Sequence, residues 1–254
     1  MQNVSIKDFD ILSQAEKDEA VSLLNRYEQI DKQVECHTDF LKFVKYMWGD
    51  TFIMGRHHKI IAEKFNRIAT GKLKRLIVCL PPRHSKSEFA STYLPAWMMG
   101  LNGALKIIQC THTAELAVRF GRKVRNLIDS EEYQRIFPKV ELNLDSKAAG
   151  RFDISGGGEY FSIGVGGAVT GRGADLLIID DPHSEQQGQP ADPKVFEGTY
   201  DWYLSGPRQR LQPGGAIIIV MTRWGKKDLC GSILKDSVTR DGSDQWEVIE
   251  LPAI

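Results

Sequence analysis

The chain has 254 residues, of which 42% are hydrophobic and 26% are charged, a composition typical of a globular protein with one large α/β domain. Its 33 basic and 33 acidic residues balance, which argues against a nucleic-acid binder driven by a basic tail but leaves a local basic face open. The amino terminus lacks a signal-peptide pattern and the apolar runs are too short to span a bilayer, so we expect a soluble intracellular protein. The four cysteines form no CxxC pair and are expected to be buried, reduced thiols.

The amino-terminal part of the chain has the apolar spacing of helices. Three are predicted: residues 8–31, residues 38–48 with Thr38 as the N-cap, and residues 56–70 closed by Gly71. From there onward short apolar strands alternate with helical segments. The predicted strands are Leu73–Leu80, Leu105–Thr111, Leu176–Asp180, Ala216–Thr222 and Trp246–Leu251, with a hairpin of Phe152–Ile154 and Tyr160–Ile163. The predicted helices between them are Ser87–Met99, Ala114–Asp129 and residues 193–204. This alternation, with strands that are apolar throughout, predicts a mostly parallel sheet covered by helices on both faces.

The first of these strands runs into a tight loop, Pro81–Lys86, and then into a helix. This is the context of a phosphate-binding loop, in which backbone N–H groups at a helix N-terminus converge on an anion. Lys86 is expected to reach the β- and γ-phosphates of ATP, and the Ser87 hydroxyl to bind Mg²⁺. Leu80 and Ser85 stand where the common motif has glycines, so an ordinary strand–turn–helix is the alternative. The predicted nucleotide-binding residues are His58, Pro82, Arg83, His84, Ser85, Lys86, Ser87 and Glu88.

A second motif is the pair of aspartates at the end of the strand Leu176–Asp180. Asp180 is expected to hold Mg²⁺ and Asp181 to polarise the attacking water. Because Asp181 stands where glutamate is common, Glu185 is a possible substitute base. A solvated turn after the strand is the alternative for the whole motif.

Further candidate site residues are arginines, because phosphoryl transfer requires extra positive charge, and a threonine at the end of a third strand. Arg83 lies inside the phosphate loop, whereas Arg172 lies between two glycines and could act in trans on a neighbouring subunit. Thr222 ends an apolar strand expected between the loop strand and the acidic strand, where it could sense the γ-phosphate. His58 could take the part of an adenine-reading glutamine, with helix capping as the alternative.

The combination of motifs resembles the large terminase subunit of tailed bacteriophages, the motor that packages viral DNA. The resemblance covers about residues 38–254 and rests on residues 40–65, 81–88, 110–125, 170–182 and 221–225. It implies a RecA-like (ASCE) P-loop NTPase fold in which Lys86 binds the triphosphate, Ser87 and Asp180 hold Mg²⁺, and Asp181 is the catalytic carboxylate. Thr222 would couple hydrolysis to movement, and Arg83 or Arg172 would complete the site.

The resemblance also implies a domain division and a set of partners. The expected regions are an N-terminal helical region (1–55), an ATPase core (56–225) and a partial lid or linker (226–254), without the nuclease domain of longer family members. The expected partners are double-stranded DNA, the portal protein and the small terminase subunit. The expected assembly is a homo-oligomeric ring, with a monomer left open for the isolated chain. The expected location is the host cytoplasm, transiently at the procapsid portal.

Two other functions fit the same motifs. A helicase-like DNA remodelling ATPase shares them but needs a second RecA-like domain. A nucleotide-binding assembly switch with little turnover is compatible with the irregular loop and with Asp181.

Overall fold

A computed structural model describes residues 13–184 and 193–252 of the chain. Its strands form one eight-stranded sheet in the order β3-β4-β5-β2-β6-β7-β1-β8. The strands are β1 (Arg75–Cys79), β2 (Lys106–Thr111), β3 (Leu142–Ala148), β4 (Arg151–Ile154), β5 (Glu159–Gly164), β6 (Ala174–Asp180), β7 (Leu211–Met221) and β8 (Glu247–Glu250). The six neighbouring strands β5, β2, β6, β7, β1 and β8 are parallel to one another. Strands β3 and β4 continue the sheet beyond β5, and β4 is antiparallel to both β3 and β5. The predicted fold class is therefore confirmed.

Helices cover both faces of the sheet because successive side chains of the parallel strands point to opposite sides. The helices are α1 (Gln14–Thr38), α2 (Phe40–Trp48), α3 (Arg56–Ala69), α4 (Lys86–Glu88), α5 (Leu94–Leu101), α6 (Ala114–Ile128), α7 (Glu131–Ile136), α8 (Pro193–Ser205) and α9 (Leu229–Thr239). On one face, Leu76 and Val78 of β1 pack into a core with side chains from α2, α3 and α5. On the other, Ile77 of β1 packs into a core with α8 and α9.

The first helices differ in detail from the sequence prediction. α1 continues to Thr38, whose hydroxyl donates to the Val34 carbonyl inside the last turn. Thr38 is therefore not the N-cap of α2. Asp39 is, because its carboxylate accepts a hydrogen bond from the Lys42 backbone N–H at 2.9 Å.

Several predicted elements are confirmed with small shifts of their ends. β7 lies between β1 and β6, as expected for the strand that carries Thr222. The β4–β5 hairpin forms, but β3 and α7 were not predicted. The four cysteines are buried and free. No helix among the described residues is long and apolar enough to cross a membrane.

In the segment 226–254, the described residues 226–252 contribute to the same sheet as the preceding residues. Its strand β8 pairs in parallel with β1, with Ile77 opposite Val248, and Leu229 and Cys230 of α9 are buried in the second core. A lid or linker role for this segment, and the three-part division of the chain, remain predictions.

Candidate functional site

The loop between β1 and α4 holds two non-glycine residues in the left-handed backbone region. The φ angle is 64° at Arg83 and 59° at Ser85. A side chain in this region costs roughly 1–2 kcal/mol, and such strain concentrates at functional sites. Ser85 thus adopts the conformation that glycine takes freely in the common motif, and its small side chain keeps the loop backbone open to an anion.

Three parallel strands end beside this loop, which brings the sequence-predicted side chains together. Lys86 begins α4 and is only 6% exposed; its Nζ lies 2.8 Å from Asp181 Oδ2 and 3.4 Å from Thr222 Oγ1. The Thr222 backbone N–H donates to Asp181 Oδ1 at 2.9 Å, and its hydroxyl donates to the Leu80 carbonyl at 3.3 Å. Thr222 therefore connects the ends of β1 and β6 through direct hydrogen bonds. Asp181 itself has a φ of 40°, a third strained position in the site.

Asp180 is the most buried carboxylate of the site, at 1% exposure. Its Oδ1 accepts a hydrogen bond from the Ser87 hydroxyl at 2.9 Å, and its Oδ2 accepts one from the Ser91 hydroxyl at 2.6 Å. Burial, followed by the negative charge of Asp181, raises the pKa of Asp180 to about 7, against the lowering effects of Ser91, Ser87 and Lys86. The surroundings of Asp180 thus compensate the negative charge of its ionised form only in part.

Ser91 was missed by the sequence reading, although its position could have been found. It lies four residues after Ser87 and on the same side of the helical segment, where a π-helical turn, Phe89–Tyr93, joins α4 to α5. π-Helical turns of this kind occur often at functional sites.

The raised pKa of Asp180 has a consequence for stability. Because the folded protein binds the Asp180 proton more tightly than the unfolded chain does, its free energy of unfolding should fall as pH rises from about 4 to about 7, by about 1.4 kcal/mol per pH unit at most. In metal-free buffer, Asp180→Asn lacks this pH dependence, so its free energy of unfolding relative to the wild type should rise by about 2–3 kcal/mol from pH 5 to pH 8. Urea unfolding at pH 5 and pH 8, with the exposed Asp201→Asn as control, measures it; an equal Asp180→Asn effect at both pH values contradicts the assignment.

A cavity of about 480 Å³ opens at this point of the sheet edge. Its lining residues are Pro82, Lys86, His112, Leu116, Asp181, His183, Ser184, Thr222 and Trp224. His112 follows β2 and His183 follows Asp181 by two residues, and neither was singled out from the sequence. His183 is buried, and its Nε2 accepts a hydrogen bond from the Leu229 backbone N–H at 3.0 Å, which ties the segment after β6 to the start of α9. Burial lowers the pKa of His183 to about 4, so this histidine lines the cavity as an uncharged side chain at physiological pH.

The other predicted loop residues lie at different places around the site. Arg83 is exposed on the loop and forms no ion pair among the described residues, so its guanidinium is available to a ligand. His84 is also exposed, and its Nδ1 lies 2.8 Å from the Pro82 carbonyl oxygen. Glu88 faces away from the cavity and forms an ion pair with Lys123 of α6.

His58 is buried at the start of α3. Its Nδ1 accepts a hydrogen bond from the Gly55 backbone N–H at 2.8 Å, which caps the helix, and its ring stacks on Phe89 at 4.8 Å. Burial lowers the pKa of His58 to about 4, and its buried Nε2 has no hydrogen-bond partner among the described residues. Of the two roles considered for His58, helix capping agrees with its contacts, and adenine binding stays a prediction.

Arg172 lies at the opposite end of the sheet, where the parallel strands begin. Its Nη1 is 3.5 Å from Glu159 Oε2 at the start of β5, and its guanidinium lies 4.2 Å from the centre of the Phe161 ring. β6 has seven residues, which at the usual rise separates its two ends by roughly 20 Å. The structure therefore does not bring Arg172 to the site of its own chain. Action in trans stays a prediction, and Glu185 lies outside the described residues.

Arg223, next to Thr222, is held by a buried network. Its Nε is 3.0 Å from Oδ2 of Asp228, a fully buried residue that also accepts a hydrogen bond from the Gly231 backbone N–H and so caps α9. This ion pair connects the segment after β7 to the start of α9, so the Arg223 guanidinium already has a buried partner.

Neither a protein-family model nor a curated protein matches the chain. Among solved structures, the large terminase of bacteriophage HK97 matches at 15% identity and a TM-score of 0.47, over 80% of this chain. This chain spans 40% of the length of that protein. The ATPase domain of the large terminase of Thermus phage P74-26, as an arginine mutant, matches at 16% identity and a TM-score of 0.53, over 84% of each chain. At this identity the likeness concerns the fold, so the chain has the RecA-like fold of that ATPase domain.

Proposed function

We propose that this chain is the ATPase motor domain of a viral large terminase, which hydrolyses ATP to drive double-stranded DNA into a procapsid. The observation that carries the proposal is the convergence of Lys86, Ser87, Asp180, Asp181 and Thr222 where β1, β6 and β7 end. The likeness in fold to a phage terminase ATPase domain supports the same reading.

The donor set at Asp180 suits a magnesium ion. Ser87 and Asp180 offer hard oxygen ligands, and the incompletely compensated charge of Asp180 favours a dication. No group of three or more His, Cys, Asp or Glu side chains in residues 13–184 and 193–252 forms a metal site by itself, so the ion would enter with the nucleotide's phosphate oxygens. When bound, Mg²⁺ would supply neutralisation of the charge on the β- and γ-phosphates.

The protein's own groups then divide the work. Triphosphate oxygens would replace the Asp181 carboxylate as the partner of Lys86 Nζ, which leaves Asp181 free to accept a hydrogen bond from a water molecule. That water would attack the γ-phosphorus: a new P–O bond forms, the bond to the β–γ bridging oxygen breaks, and one proton of the water passes to the Asp181 carboxylate and then to solvent. ADP and phosphate result. Thr222 contacts both Lys86 and Asp181, so the exchange of their ion pair for a nucleotide would be transmitted to β7.

The completing positive charge is proposed to come from Arg83 in cis, because it is exposed on the phosphate loop and forms no ion pair among the described residues. Arg172 would serve only on a neighbouring subunit. The portal protein, the small terminase subunit, the ring assembly and the host cytoplasm belong to the same proposal and follow from the resemblance in motifs.

Coupling to DNA is tested by the effect of DNA on ATP hydrolysis. We expect double-stranded DNA to raise phosphate release by wild-type chain several-fold, and more than single-stranded DNA of equal length, with a stimulation that weakens as salt rises. Asp180→Asn, which loses the proposed metal ligand, should release no phosphate with or without DNA. If turnover is equal with and without DNA at low salt, an ATPase remains but the motor reading fails. Preference for single-stranded DNA favours the helicase-like alternative.

A further inference from the structure

Helix α1 carries exposed apolar side chains that form a stripe along its length. Leu23, Tyr27, Ile30 and Val34 are between 44% and 65% exposed, and Leu24 beside them is 59% exposed. Beside this stripe, the side of the helix that meets the rest of the chain is polar: Gln29 and Gln33 donate hydrogen bonds to the Arg135 carbonyl. Only near its C-terminal end does α1 bury an apolar side chain, that of Cys36. At 100° per residue, the centre of the apolar stripe lies roughly 140° around the helix from Gln29 and roughly 100° from Gln33, so Gln33 borders the stripe on the side that meets the domain. Packing onto residues 13–184 and 193–252 therefore does not explain the apolar stripe of α1.

The spacing of the stripe is that of a two-stranded coiled coil. Ala20, Leu23, Tyr27, Ile30 and Val34 follow one another at intervals of three, four, three and four residues, which are the a and d positions of a heptad repeat. The helix is also stabilised at its N-terminal end, because Ser13 and Glu16 form a reciprocal capping box there. A stripe of this type requires a second helix with the same spacing, and α1 of another copy has it.

The charges beside the stripe select an orientation. In this heptad register Arg26 takes position g and Asp31 takes the following position e; neither forms an ion pair within residues 13–184 and 193–252. In a parallel pair of α1 helices, Arg26 of each copy faces Asp31 of the other, and two-fold symmetry makes the contact twice. An antiparallel pair with the same core layers brings Asp31 against the apolar Leu24 instead.

We propose that the Ala20–Val34 face of α1 is a self-association surface that pairs in parallel with α1 of a second copy of this chain. The surface lies outside the nucleotide site and uses none of its residues. Because the stripe covers only two heptads, the dimer should be weak, with a dissociation constant on the order of micromolar to tens of micromolar. The contact is isologous and pairs two chains, in contrast to the head-to-tail contacts that close a ring.

Sedimentation velocity over a range of protein concentrations tests the association. Wild-type chain should shift from monomer to dimer as concentration rises, and Tyr27→Glu should weaken the dimer at least tenfold. Asn25→Glu places the same charge on the same helix away from the stripe and should leave the dimer unchanged. Equal circular dichroism of both variants verifies that α1 is intact. A wild type that stays monomeric up to several hundred micromolar, or equal weakening by both variants, overturns the proposal.

Charge exchange tests the parallel orientation. Arg26→Glu and Asp31→Arg should each weaken the dimer severalfold, and the double variant should restore it, because the ion pairs re-form with reversed sign. A dimer in which the double variant is as weak as the single ones overturns the parallel arrangement. Lys86→Ala should dimerise like the wild type, so a failure of this proposal is distinguishable from a failure of the proposed ATPase activity.

Discussion

Replacement of Lys86 by alanine is expected to lower the rate of ATP hydrolysis at least ~100-fold, the scale of losing one electrostatic group at a transition state. Lys86 is 6% exposed and is the buried cation of the site, with Nζ 2.8 Å from Asp181 Oδ2. Lys86→Ala removes this buried cation, so the repulsion between Asp181 and the γ-phosphate would lose the compensation that Lys86 provides. The measurement is phosphate release under saturating ATP and Mg²⁺.

The control for this substitution is Lys72→Ala. Lys72 is exposed and precedes β1, so it lies near the amino-terminal ends of the parallel strands, whereas the phosphate loop follows their carboxyl ends. The control should hydrolyse ATP at the wild-type rate. If Lys86→Ala keeps more than about a tenth of that rate, the loop before α4 is not the triphosphate site, because loss of such a group at a transition state typically removes two orders of magnitude.

Asp181→Asn is expected to separate binding from hydrolysis. The variant should release phosphate at least ~100-fold more slowly, because the amide is a poor acceptor for a proton of the attacking water. It should bind ATP as tightly as the wild type or more tightly, since it removes the carboxylate that competes with the phosphates for Lys86. Binding of a fluorescent ATP analogue and phosphate release, measured on the same preparation, report the two effects.

Glu185→Gln gives the matched comparison for the choice between the two carboxylates. With Asp181 as the group that orients water, Glu185→Gln should retain most of the wild-type turnover. The reverse pattern, with turnover lost in Glu185→Gln and kept in Asp181→Asn, assigns the role to Glu185. In that case Asp181 acts only through its ion pair with Lys86.

The sequence was sufficient to predict that the central side chains of the candidate site lie together, because parallel strands bring their carboxyl ends to the same end of the sheet. Lys86 follows β1, Asp180 ends β6 and Thr222 follows β7, and they meet although they lie far apart along the chain. The strands themselves are continuous apolar runs, the pattern that burial on both faces imposes. These features depend on local sequence and on one topological rule.

The features that were missed depend on contacts that local patterns do not encode. β3 was not predicted because it is a largely polar strand at the sheet edge, paired only with β4. Thr38 and Asp39 are both good capping residues, and the length of α1 decided between them. The loop sequence around Arg172 does not indicate where its side chain points. In the structure it packs against Glu159 and Phe161, at the end of the sheet away from the phosphate loop.

Magnesium-dependent phosphate release by the wild-type chain tests the central claim most directly. With excess ATP, turnover should appear on addition of Mg²⁺ and disappear with EDTA, because Ser87 and Asp180 offer the ligands for the ion at the end of β6. ATP bound stoichiometrically without phosphate release, in the presence of Mg²⁺ and double-stranded DNA, would contradict an ATPase and identify a nucleotide-binding switch.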